Sequence, residues 1–147
     1  MSEVESNHEL PANYEQLKSS LSRTSNWKGR LAAVEELGEY KLDKVIEILT
    51  HRMNNDAVYA VQEAAHRKLR AFGVDAQLPP RRKGEPVKGV EKILLRIKKS
   101  LPAGHSFEAF KEKLKKTRLD VYDVYEGDKG ADFDQWLESI WAGLSAR

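Results

Sequence analysis

Two segments of this chain repeat one another at a distance of 32 residues. The shift matches large apolar positions with large ones and a pair of alanines with a second pair: Trp27 with Tyr59, Ala32 with Ala64, Ala33 with Ala65, Leu37 with Leu69, and Tyr40 with Phe72. Paired alanines let neighbouring helices approach closely, while the larger side chains fill the groove between them. A period of roughly 30 to 45 residues with two helices per unit is typical of stacked helical repeats. The repeat therefore predicts an all-α fold.

Apolar spacing and helix-stop signals predict three helices in this region. The first covers 27–37, and the second begins near Asp43 and continues to about residue 53. The third covers 57–72 and ends at Gly73, because glycine readily adopts the left-handed conformation that closes a helix. Pro79 and Pro80 follow soon afterwards, so the second repeat, which contains the third helix, is expected to lack a partner helix.

The repeated segments also resemble a known family. The run WKGRLAAVEELG at 27–38 is similar to the first helix of a bacterial HEAT repeat, in which an arginine precedes two alanines and Leu-Gly follows. The run 61–69 is similar to the next repeat, although Gln62 stands where arginine is usual and Arg70 where glycine is common. The resemblance implies a HEAT-like unit over 10–78 with a binding or scaffolding role and no family-wide catalytic residues.

A HEAT-like unit implies an open helical surface that can hold a protein or peptide. The hypothesis of a protein-interaction adaptor assigns partner binding to four charged residues of the repeated helices: Arg30, Glu36, Arg67 and Arg70.

Composition divides the rest of the chain. Residues 1–9 show no apolar periodicity and are expected to be disordered. The segment 79–86 is rich in proline and cations, which is typical of a linker. Residues 87–147 are predicted to form a three-helix unit, with apolar stripes near 90–101, 107–114 and 133–144. Gly127 and Gly130 indicate that 119–131 is at least partly loop.

Charge is strongly segregated in this second part. Residues 79–118 carry 13 basic and 4 acidic side chains, net +9, whereas 119–147 carry 2 basic and 7 acidic ones, net −5. Two interpretations stay open: a solvated surface that the acidic tail partly neutralises, or a face that binds nucleic acid, whose affinity for proteins is largely electrostatic. The candidate nucleic-acid-binding residues are Arg81, Arg82, Lys83, Lys88, Lys92, Arg96, Lys99, Lys111, Lys115 and Arg118.

Catalytic and metal chemistry is not predicted. The chain has no cysteine, and its four histidines are not at metal-ligand spacing. The acidic segment 120–134 lacks the glycine and glutamate positions of a calcium loop. We therefore expect no enzyme activity, no metal site and no cofactor. The polar N-terminus and the absence of a long apolar run predict a cytoplasmic protein that does not enter a membrane. The oligomeric state and the partner's identity stay open.

Overall fold

The computed structural model describes residues 9–144, and within this range every regular element is helical. The α-helices are α1 (Tyr14–Leu21), α2 (Trp27–Leu37), α3 (Asp43–Asn55), α4 (Tyr59–Ala71), α5 (Val90–Lys99), α6 (Phe107–Thr117), α7 (Leu119–Lys129) and α8 (Phe133–Gly143). A short 3-10 turn, Gly130–Asp132, precedes α8. The prediction of an all-α fold is confirmed. The disorder predicted for 1–9 falls outside the described residues, except at Glu9.

The chain divides between Arg82 and Lys83 into two compact units. The first contains α1 to α4 and the second contains α5 to α8. The division lies inside the segment 79–86, whose composition is that of a linker.

Helices α2 and α4 of the first unit pack side by side in the same direction. Near their N-terminal ends, Arg30 on α2 binds Asp56, which lies just before α4. Further along, Arg67 on α4 lies 3.3 Å from the Glu35 carboxylate, and these two residues are 32 positions apart. The spatial neighbours are therefore the same positions that the sequence repeat relates. Buried Ala33 and Ala65 lie within this pair of helices, where small side chains allow close approach.

Helices α1 and α3 are also neighbours. The Arg52 guanidinium on α3 donates a hydrogen bond to the Leu21 carbonyl at the end of α1, at 3.3 Å. The shift of 32 residues relates these helices as well, since it brings the buried Leu17 onto Leu49 and the buried Leu21 onto Met53.

The repeating pairs are consequently α1 with α2 and α3 with α4, because each of these pairs packs together. The expectation that the third predicted helix lacks a partner is corrected: its partner, α3, precedes it in the chain. Helix α4 ends as predicted at Gly73, which has a φ of +88°. The Val74 amide donates to the Leu69 carbonyl at 3.0 Å and closes the turn.

A buried carboxylate joins the helix ends of the first unit. Asp56 is 1% exposed and accepts hydrogen bonds from the Arg30 guanidinium at 2.9 and 3.2 Å, from Arg52 at 3.1 Å and from the Val58 amide at 2.9 Å. The remaining Arg30 nitrogen donates to the Arg23 carbonyl in the α1–α2 loop. We call Arg30, Arg52 and Asp56 the Asp56 cluster. Burial of these charges is tolerated because each has a partner of opposite sign and further hydrogen bonds.

The second unit has an apolar core to which all four of its helices contribute. The fully buried side chains include Leu94 on α5, Phe110 on α6, Val121 on α7 and Leu137 on α8. Tyr125 stacks on the half-buried Trp136 with ring centroids 4.7 Å apart. The predicted stripes of α5, α6 and α8 face this core, and Ser106 caps α6 as expected by accepting from the Ala109 amide at 3.1 Å.

The prediction of a three-helix second unit needs correction, because the segment expected to be at least partly loop forms α7. Val121, Tyr122 and Tyr125 are buried on this helix, and Gly127 lies inside it and is buried as well. Tertiary packing of the aromatic face outweighs the unfavourable helix propensity of one glycine, about 1 kcal/mol. Gly130 ends α7 with a φ of +59°, so only the second glycine acts as a break.

Replacement of Asp56 by alanine would leave the Arg30 guanidinium buried without its counter-charge. We expect the first unit to lose about 3 to 5 kcal/mol of stability, the usual cost of removing one partner of a buried ion pair. Glu35→Ala, which removes a partly exposed ion pair, should cost less than about 1 kcal/mol. Amide hydrogen exchange of the full chain measures both effects, and 90–143 provides an internal reference. Equal loss of protection across 14–71 in both variants would contradict the prediction.

Candidate partner-binding surfaces

The four residues predicted to bind a partner do not form one surface. Arg30 is 3% exposed and is held in the Asp56 cluster, so its assignment to an open surface is wrong. Glu36 is exposed and accepts a hydrogen bond from the Asn13 side chain at 3.0 Å, on the side of α2 that faces α1. Arg67 is directed toward α2 by its ion pair with Glu35. Arg70 is exposed and forms no ion pair with any residue in 9–144.

Surface ion pairs link α2 to α4. Lys68 lies 3.4 Å from both Glu35 and Glu39, beside the Arg67–Glu35 pair. Such pairs contribute little each, because solvent screens them and ordering long side chains costs entropy. The face that carries Arg67 is thus occupied by contacts within the unit and offers mainly charged side chains.

A groove between α1 and α3 is the more apolar surface of the first unit. Leu21 and the half-buried Ile48 form its floor, and the cavity has a volume of about 340 Å³. Lys18, Ser22, Glu47, His51 and Arg52 complete its lining. We call this feature the α1–α3 groove. Its apolar floor and polar margin have the character of small binding clefts in proteins.

No residue of the α1–α3 groove is among those predicted to bind a partner. The clearest signal of the repeat lies in α2 and α4, where aromatic residues and paired alanines recur. The same 32-residue shift applied to α1 would have aligned it with α3 and indicated a cleft between two equivalent helices.

The candidate nucleic-acid-binding cations fall into different environments. Arg81 and Arg82 belong to the first unit, where the Arg81 guanidinium lies over the Tyr59 ring at 5.5 Å. Lys83 and the remaining candidates belong to the second unit. Lys115 is exposed, and its ammonium group lies 5.4 Å from the centre of the Tyr122 ring.

Acidic residues of the second unit engage two of the predicted cations. The Lys111 ammonium group lies 2.6 Å from the Asp134 carboxylate, which raises the pKa of Lys111 above its ordinary value. Arg118 makes a two-pronged contact with Asp120, both bonds at 3.0 Å, and this contact lowers the pKa of the Asp120 carboxyl. Partial neutralisation by the acidic segment, one of the two open interpretations, thus applies at these positions.

Helix α5 presents cations of a different kind. Lys92, Arg96 and Lys99 are exposed and form no ion pair with any residue between 9 and 144. Lys88, in the turn before the helix, is exposed in the same way. We call Lys92, Arg96 and Lys99 the α5 basic row. Lys98, by contrast, is directed into the unit and donates hydrogen bonds to the Trp141 and Leu144 carbonyls at the end of α8.

No group of three or more histidine or acidic side chains in 9–144 is arranged to hold a metal ion. His66 contacts the Ala76 carbonyl oxygen at 3.1 Å, and His105 accepts from the Trp141 indole at 3.0 Å, so both rings have structural partners. Within the same part of the chain, none of the helices is long and apolar enough to cross a membrane.

The Lys111–Asp134 contact predicts a measurable titration. Because Asp134 raises the pKa of Lys111, the stabilisation from this pair is present below the ordinary lysine pKa and is lost as the pH rises through the folded-state pKa. We expect Asp134→Asn to bring the pKa of Lys111 down, as followed by NMR of its side-chain carbons. Asp132→Asn, an exposed change two positions away, should leave that pKa in place. An identical shift in both variants would argue against a specific Lys111–Asp134 pair.

Comparisons with known proteins add no family to this geometry. No protein-family model matches the chain, and neither a curated protein nor a solved structure is detectably similar to it.

Proposed function

We propose that this chain is a non-catalytic adaptor whose HEAT-like helical repeat unit binds a protein partner. The observation that supports this most strongly is the α1–α3 groove, with Leu21 and Ile48 in its floor and charged side chains at its margin. Apolar clefts between helices are common docking sites for partner segments, since burial of apolar surface drives association.

The repeat geometry supports the HEAT-like part of the proposal. Helices α2 and α4 stack with equivalent positions side by side, as the Glu35–Arg67 contact across 32 residues illustrates. Each repeating pair, α1 with α2 and α3 with α4, contributes its first helix to a second layer, which contains α1 and α3. A groove between equivalent helices is thus a regular consequence of stacking, and it is the kind of surface that helical repeat proteins use for binding.

The dimensions and charge of the groove favour an amphipathic helix as the partner segment. Helix α1 has 8 residues and is therefore about 12 Å long, enough to contact about two turns of a bound helix. Such a helix would place apolar residues at three- and four-residue spacing over Leu21 and Ile48. Among the cations at the margin, Arg52 is already paired with Asp56, so Lys18 is the one available to a partner. An acidic residue beside the apolar stripe would be complementary to Lys18.

A displayed peptide library selected on the full chain tests the proposal. We expect enrichment of amphipathic helical sequences with acidic flanks. Their affinity should fall at least tenfold with Ile48→Glu, which places a charge in the apolar floor. Lys18→Glu should weaken them severalfold, whereas Lys44→Glu should not, although both variants change an exposed lysine by the same charge. Fluorescence anisotropy of the selected peptides measures all three.

Two results would contradict the adaptor role. One is that the selected peptides bind the Ile48→Glu and Lys44→Glu variants equally well while both variants keep the wild-type melting temperature. The other is a chain that captures no protein from a lysate and yet turns over a substrate in isolation.

A further inference from the structure

We propose that the α5 basic row binds the phosphodiester backbone of nucleic acid without reading its sequence. This inference goes beyond the adaptor role, because it concerns the second unit and does not require the α1–α3 groove. Among the cations that the sequence offers for such a role, it selects Lys92, Arg96 and Lys99.

The row is a narrow stripe on one side of α5. Successive helical positions are about 100° apart, so Lys92, Arg96 and Lys99 fall within an arc of about 60°. The buried residues Val90, Leu94 and Ile97 lie on the opposite side of the same helix. Because burial of that side anchors the helix, the three cations point to solvent from a fixed support that extends over about 10 Å.

Two other basic residues of α5 and α6 are less available than the cations of the row. Lys98 on α5 is directed toward the end of α8, and Lys111 on α6 is held by Asp134. Glu91, the acidic residue of α5, is exposed but lies about 100° around the helix from Lys92, outside the arc of the row. A ligand anion would therefore meet the row without first displacing an internal carboxylate.

A nucleic-acid backbone fits this row better than a membrane does. Basic amphipathic helices bind membranes by inserting an apolar face beneath the charged one, but the apolar face of α5 is already buried in the core. Duplex DNA presents about one negative charge per 1.7 Å, so a 10 Å row faces about six phosphate charges. An acidic protein surface has no such regular, dense array of negative charges. It is therefore a less suitable ligand for the row than a nucleic-acid backbone.

The surroundings of the row favour contact with phosphates rather than with base edges. A helix-turn-helix joins its two helices by a turn of about three or four residues, whereas α5 and α6 are separated by residues 100–106. The row carries only lysine and arginine and has no aromatic side chain on which an unpaired base could stack. Binding would then depend on charge and would show little preference among sequences.

The decisive experiment compares two triple variants of the full chain. The row triple removes the row by Lys92→Gln, Arg96→Gln and Lys99→Gln. The control triple removes three exposed cations of the first unit, by Lys41→Gln, Lys44→Gln and Arg70→Gln, and has the same net charge as the row triple. Fluorescence anisotropy with a duplex DNA and with a single-stranded RNA of about 20 nucleotides, over 25 to 200 mM salt, gives the slope of log affinity against log salt.

We expect wild type and the control triple to bind with the same salt slope. For duplex DNA, removal of the row should reduce the size of that slope by about 2.7, which is three phosphate contacts at about 0.9 each. For the single strand the reduction should be about 2, because each contact contributes about 0.7. The two probes thus also show which form of nucleic acid is preferred.

Several results would overturn the inference. One is the absence of salt-dependent binding by the wild-type chain at 25 mM salt. A second is a loss of affinity in the control triple as large as that in the row triple. A third is tighter binding of polyglutamate or phosphatidylserine vesicles than of both nucleic acids. If the row triple melts at a lower temperature than wild type, the single variants Lys92→Gln and Lys99→Gln decide instead, and each should reduce the duplex slope by about 0.9.

Discussion

The first unit depends on one buried carboxylate. Asp56 accepts hydrogen bonds from Arg30 at the start of α2, from Arg52 near the end of α3 and from the amide of Val58 just before α4. Arg30 in turn reaches the carbonyl of Arg23 after α1. The ends of four helices therefore meet at a single charge. Transfer of that charge out of water costs several kcal/mol, and the cluster offsets the cost only while all of its partners are in place. The helices are thereby held in one relative arrangement.

This arrangement also determines which surfaces are left for a partner. Arginine at position 30 has the chemistry of a contact residue, but the cluster takes it into the interior. The second repeat carries Gln62 at the equivalent position, and it is buried as well, with its amide bonded to the Met53 carbonyl at 2.7 Å. Equivalent positions of the two repeats thus serve the same structural purpose. The groove between α1 and α3, on the other layer, is the surface left for the proposed partner.

The second unit sorts its charges by the same physical rule. Long basic side chains lower their free energy when they find a carboxylate, a ring face or the carbonyls at a helix end. Lys111, Arg118 and Lys98 each have such a contact within the unit. Helix α5 keeps its apolar side in the core, so the cations opposite to that side remain in solvent. Fewer cations of 79–118 are therefore available to a partner than the sequence indicates.

Local patterns in the sequence determined much of the fold. Spacings of three and four residues placed α2, α3 and α4 and the stripes of the second unit, because a helix repeats every 3.6 residues. Gly73 and Ser106 marked helix ends, since capping depends only on neighbouring residues. Tertiary structure decided four further features. These are the pairing of α3 with α4, the burial of Arg30, the helical state of 119–129 and the choice of cations that form ion pairs. Each depends on side chains distant in sequence that meet only when the helices pack, and the free energy of those contacts exceeds any local preference.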